Sequence, residues 1–178
     1  TFNETPEILQ RNMQGYHFGL EKLMEKNKLT ILRLDPKDLL QVIREDYGEI
    51  RDVIKENNAR RFVLDPLSTF NIVVKDEFER KMSLLKFCEW LRKHGCTSLM
   101  TLERERHPSV NTEGGFEMHV VDGVIIMYNL QVKNSRVNAL EILKMRGSGH
   151  SKKIAPFTFE EGINVSPDEN LFWTSNTL

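Results

Sequence analysis

Cysteine is scarce. Cys88 and Cys96 are the only two among 178 residues, and they stand eight positions apart. That excludes a disulfide framework or a cysteine metal cluster and points to a reducing compartment. Charge of one sign is also missing: the net charge of -1 gives no field to hold nucleic acid or an acidic membrane without a local patch. No apolar run approaches the length that spans a bilayer, and the first residues do not resemble a signal peptide. These absences predict a soluble, cytoplasmic protein with no membrane partner. A methionine is missing at position 1 as well. The opening segment reads like the tail of a strand entering a helix, so the expectation is that upstream residues lie outside this sequence.

What is present suits one globular domain over residues 1–178 with a real core. The charged fraction of 29% is that of a well-solvated surface and not of a disordered tail. Thr5 is placed to cap a helix running from about Pro6 to Met13, with Pro6 in its first position and Glu7 at its positive end. A short helix follows over Leu20–Glu25. Leu29–Leu34 reads as a strand, and Pro36 starts a helix carried by Leu39, Leu40, Val42 and Ile43. The next helix spans Asp46–Asn57, with Ile50, Val53 and Ile54 on one face. Arg60–Asp65 is an apolar strand. Glu77–His94 is the longest helix, with Phe78, Met82, Leu85 and Trp90 as its buried stripe and Gly95 as its stop. Thr97–Leu102 is another strand. Closely spaced strands then take over: Gly123–Gln131, Val137–Met145 and Ile163–Val165. Strands separated by helices imply an α/β fold with a mostly parallel sheet, extended by antiparallel hairpins toward the C-terminus.

Four places carry candidate chemistry. The segment Leu140–His150, LEILKMRGSGH, runs an alternating strand into a glycine-broken turn. There Lys144, Arg146 and His150 supply donors suited to phosphate; a solvated basic turn is the plain alternative. Asp65 ends an apolar strand, the edge at which parallel sheets bind ligands, and its carboxylate suits a hydrated Mg2+. An aspartate before proline also simply starts turns. Asn3 and Glu4 close another strand, where a carboxylate can orient or deprotonate water or merely serve a helix N-terminus. Thr101 and Glu103 end a third strand, where they can sense a γ-phosphate or face solvent.

In order along nearly the whole chain, these pieces resemble the KaiC-like branch of the RecA-type ATPases. TFNETPEILQRNMQGYHFG (1–19) is similar to that family's passage after a glutamate pair. RRFVLDPLS (60–68) resembles its Walker B strand, and 99–103 the strand beside it. Glu117–Ile126, with Val120, Asp122 and Gly123, resembles its hairpin entry. LEILKMRGSGH, Pro156–Phe159 and Gly162–Ile163 complete the pattern. The resemblance implies a RecA-like P-loop NTPase core and ATP held with Mg2+ between neighbours of a homo-oligomeric, hexameric ring. Asp65 is then the metal residue, and Glu4 with Asn3 the water-activating pair. Lys144 and Arg146 reach the neighbour's γ-phosphate, with His150 close by, on the logic of a cation supplied in trans. Thr101 and Glu103 also face the nucleotide.

The chain departs from the family in three respects. No Gly-Lys pair occurs, so the G-x-x-x-x-G-K-[ST] phosphate loop is absent from these residues; in the family it precedes Thr1. Asn3 takes the first place of the glutamate pair, and an amide orients water without accepting its proton. Pro66 replaces a common serine, removing a hydroxyl and a backbone donor. Two alternatives stay open: a catalytically silent ATP-binding or scaffold module, and a recombinase-type motor touching nucleic acid through Arg104 and Arg106. His17, His94, His107 and His119 show no metal-ligand spacing. Phe87, Trp90, Met82 and Met100 read as core, and Phe172 and Trp173 as a docking tail.

Overall fold

The computed structural model describes residues 1–103, 115–160 and 162–168. They divide into two compact units, residues 1–15 with 19–103, and residues 16–18 with 115–160 and 162–168.

In the first unit the helices begin where their caps dictate. Thr5 Oγ1 accepts from Ile8 N, and Pro6 opens α1 (Pro6–Met13); α2 spans Leu20–Glu25. Asp35 and Asp38 form a reciprocal capping box for α3 (Pro36–Glu45), which satisfies two otherwise orphaned backbone donors. The helix α4 covers Glu49–Glu56. The expected start at Asp46 is corrected, because Asp46 turns left-handed (φ 50°) and ends α3. After β1 (Arg61–Leu64) come a 3-10 turn at Leu67–Thr69, the one-turn α5 (Phe70–Val73) and α6 (Glu77–Lys93). The strand β2 (Thr97–Met100) lies parallel to β1 with Leu64 opposite Met100.

Leu29–Leu34 is not a regular strand, which corrects that expectation. Its end is nevertheless tied in: Thr1 N donates to Leu32 O at 2.8 Å and Leu34 N to Thr1 O at 3.0 Å. Phe2 N donates to Asp65 O at 3.1 Å on the other side. Backbone ties thus run in the order 32–34, 1–2, β1, β2, and the segments that follow these stubs leave at one edge.

The core of this unit gathers Leu39, Val42, Ile50, Ile54, Leu64, Phe70, Leu84, Phe87 and Leu91. The buried stripe of α6 is Leu84, Phe87, Cys88 and Leu91, with Ser83 and Trp90 at its flank. Phe78, 72% exposed, and Met82 face outward and Leu85 is half-buried, so the expected stripe is corrected except for Trp90. Met100 is only half-buried as well. On the other side of the parallel pair, Val63 and Leu99 are register partners exposed by 60% and 55%.

The second unit is built on one antiparallel sheet in the order β3-β4-β5-β6. Here β3 is Gly123–Val132, β4 Ser135–Met145, β5 Ala155–Glu160 and β6 Gly162–Val165. These strands form a sheet of their own. One face of the β3–β4 ladder buries Tyr128, Leu130 and Ala139. Leu143 is an extra residue, since Lys144 pairs with Val124 while Ile142 pairs with Ile125. Such a bulge breaks the alternation of side chains and re-aims those beyond it. A plain two-face reading of 140–145 therefore fails at Lys144. The one-turn helix α7 (Glu117–Val120) enters β3.

Candidate functional site

Four of the eight candidate residues, with their supports, meet at the edge where the parallel segments end. Asp65 and Thr101 follow β1 and β2, and their side chains bond directly, the Thr101 hydroxyl donating to Asp65 Oδ1. The backbone fixes this pairing: Thr101 N donates to Leu64 O at 3.0 Å and Leu67 N to Thr101 O at 2.8 Å. Asp65 is exposed and Pro66 behind it is buried. Asn3 and Glu4 follow the neighbouring stub. Thr69 Oγ1 donates to Asn3 Oδ1 at 3.4 Å, and Asn12 Nδ2 donates to Glu4 Oε1 at 2.9 Å. Thr69 and Asn12 were missed in the sequence, where nothing but the folded chain links them to their partners. With its oxygen turned to Thr69, the Asn3 amide offers a donor, and Glu4 keeps one carboxylate oxygen beyond Asn12. Glu103 is exposed at the end of the β2 segment, and no side-chain partner is recorded for it among the described residues.

The basic turn belongs to the second unit. The single turn of α7 ends on carbonyls that no helical amide reaches. Lys144 Nζ donates to Met118 O at 2.7 Å and to Val121 O at 2.6 Å. Arg146 donates to His119 O at 2.9 Å, lies 3.4 Å from Asp122 Oδ1, and its backbone N–H donates to Asp122 O at 2.8 Å. Burial lowers the pKa of Lys144, the Arg146 charge lowers it further, and Asp122 opposes the shift. Gly147 turns left-handed (φ 70°) directly after Arg146, a conformation glycine adopts without strain. Lys152 Nζ lies 2.9 Å from His150 Nε2, a distance at which the ammonium donates and the ring nitrogen accepts. The sites of Arg104, Arg106, His107, Phe172 and Trp173 fall outside the described residues.

The donor sets suit the groups the resemblance implies. Asp65 and Thr101 are hard oxygen ligands, and among the described residues no three His, Cys, Asp or Glu side chains converge into a metal cage. One carboxylate beside a hydroxyl fits Mg2+, which keeps several of its waters and shares phosphate oxygens. The cationic turn fits an anion. No helix of the described residues is long and apolar enough to cross a membrane.

A family model described as "ATPase: KaiC" matches residues 1–170. The chain is similar to the circadian clock oscillator protein KaiC of Synechococcus elongatus, 30% identical over 174 residues. That match covers 94% of this chain and 34% of the relative. Circadian clock protein KaiC3 of Synechocystis is 28% identical over 176 residues, covering 94% and 35%. KaiC of Thermostichus vulcanus is 28% identical over 173 residues, covering 94% and 33%. The chain thus spans about a third of the length of these relatives. With the parallel ladder, the carboxylate at its edge and a match over 170 of 178 residues, the chain belongs to the KaiC ATPase family, with its RecA-like α/β fold.

Proposed function

We propose that this chain serves ATP hydrolysis at the boundary between copies of itself in a cytoplasmic, hexameric ring. One observation supports this reading above the others. The water-facing and metal-suited residues Asn3, Glu4, Asp65 and Thr101 share one sheet edge, whereas Lys144, Arg146 and His150 sit in a separate compact unit. A catalytic set divided in this way suits a site completed by a second copy.

Asp65, steadied by the Thr101 hydroxyl, would hold Mg2+ through its outward oxygen. Bound Mg2+ neutralises charge on the phosphate oxygens of ATP. Thr101 and Glu103 would face the γ-phosphate side of the same edge. Asn3 donates its amide N–H to a water oxygen and fixes the water's place without taking its proton. Glu4, held by Asn12, supplies the oxygen that accepts the proton. Arg146, with Lys144 behind it and His150 nearby, brings positive charge to the γ-phosphate of the neighbour as charge shifts in the transition state. Within these 178 residues the contribution is a metal-suited carboxylate, a pair that holds and activates water, and a cation.

Mixing two inactive forms tests the division. Arg146→Ala and Asp65→Ala subunits should each fail to hydrolyse ATP, and mixed assemblies should recover part of the wild-type rate, because some boundaries pair an intact edge with an intact turn. No recovery in mixed assemblies would refute the reading. Asn3 favours a second reading, a nucleotide-binding scaffold without turnover, because an amide stands where a carboxylate would abstract the proton. A wild-type protein that assembles on Mg-ATP without releasing phosphate would select it.

A further inference from the structure

The four residues of α7 are too few to persist on their own backbone bonds, yet the turn is closed at its C-terminal end. What closes it is a pair of side chains from the far end of β4. Lys144 takes the carbonyls of Met118 and Val121, and Arg146 takes that of His119 between them. Cationic donors on the last carbonyls are a recognised way to end a helix. The extra residue Leu143 turns Lys144 toward this task.

We propose that Lys144 is a positioning residue: it fastens α7 and the 121–122 turn to the end of β4, and by doing so fixes the direction in which Arg146 meets a polyphosphate anion. The inference rests on the trans-cation reading above and assigns the two basic residues different tasks. The Lys144 ammonium has three N–H groups, and two are spent at 2.6 and 2.7 Å on carbonyls. Half-buried and already engaged by the carbonyls of its own turn, it is unlike an extended cation awaiting a ligand. Arg146 differs on each point. Its side chain is 54% exposed, its Asp122 contact is long at 3.4 Å, and its guanidinium carries five donors. Bonds to His119 and Asp122 use two of them, leaving three N–H groups without a partner among the described residues. The backbone N–H of Arg146 donates to Asp122 O, so any movement of the 121–122 turn carries the guanidinium with it.

A residue that acts through another shows up as non-additivity in a double-mutant cycle. The full chain is compared as wild type, Lys144→Met, Arg146→Met, the double variant and Lys144→Arg. Amide hydrogen exchange is followed at Val121 and Arg146, and affinity for sodium tripolyphosphate by NMR titration. Lys144→Met should speed exchange at both amides at least tenfold and weaken tripolyphosphate binding by a factor comparable to that of Arg146→Met. The double variant should bind no more than twofold more weakly than Arg146→Met alone, and Lys144→Arg should restore protection. Losses that multiply, or unchanged exchange in Lys144→Met, would overturn the assignment and make Lys144 a direct anion ligand or a bystander. A wild-type chain with no tripolyphosphate affinity would instead defeat the trans-cation reading itself, and the positioning role with it.

Discussion

Asp46 shows how one side chain can tie two helices by charge. It leaves α3 in the left-handed region and accepts from Trp90 Nε1 on α6 at 2.7 Å, with Arg51 Nε 3.7 Å away. The indole hydrogen bond holds its carboxyl below the usual aspartate range; burial works against this and Arg51 reinforces it. A carboxylate whose folded pKa is depressed adds stability that is complete above the unfolded value and is lost as pH falls through the folded one. The urea midpoint of wild type should therefore drop more steeply on acidification below pH 4 than that of Asp46→Asn, a comparison made at matched ionic strength. Identical slopes would contradict the coupling. Residues of this kind were hard to read in the sequence because their partners are remote. Asn3 and Thr69 lie 66 positions apart, and Asp46 and Trp90 lie 44 apart. The places of Asp65 and Glu4 just after strand-like stubs, and of Arg146 just after β4, were legible from local pattern alone. The carbonyl bonds of Lys144 were not, since they depend on a four-residue helix and a one-residue bulge.

At the scale of elements, caps announce boundaries more reliably than periodicity announces faces. Thr5–Pro6 and Asp35–Pro36 fixed the starts of α1 and α3 to the residue. On α6 apolar side chains occur nearly all the way round, so several stripes compete. Packing against Phe62 of β1, whose ring lies 5.7 Å from that of Phe87, selects Leu84, Phe87, Cys88 and Leu91. Leu91 is fully buried and Phe78 lies in the exposed first turn. Leu91→Ala should cost about 2–5 kcal/mol of unfolding free energy. Phe78→Ala should stay within about 0.5 kcal/mol of wild type, as surface changes do. Urea unfolding of the two variants checks this, and the reverse order would restore the stripe expected from the sequence. The strand expected over Leu29–Leu34 fails for a related reason: two backbone bonds to Thr1 suffice to align it, and neither its composition nor its alternation reports how many bonds it makes.

For the whole molecule, the order of motifs was more informative than any one of them. A strand-end aspartate or a basic turn is common; their succession over 170 residues marks the family. The separation into two units was not legible, because residues 16–18 group with the later strands and not with the helices that flank them in the chain. If the site is completed between copies, the mass of the full-length gene product in solution should rise to a fixed multiple of its subunit mass when Mg-ATP is added. Light scattering coupled to size exclusion would read this directly, and a monomer at every nucleotide concentration would argue against it. The parallel ladder adds a last consequence. Its Leu64 side lies against hydrocarbon, while Val63 and Leu99 stand abreast on the other side, wetted and largely unshielded. A hydroxyl introduced at position 63 would be hydrated at once, whereas the same oxygen one residue later would be stranded in oil. Tolerance to polar change thus reverses between adjacent positions of one short strand.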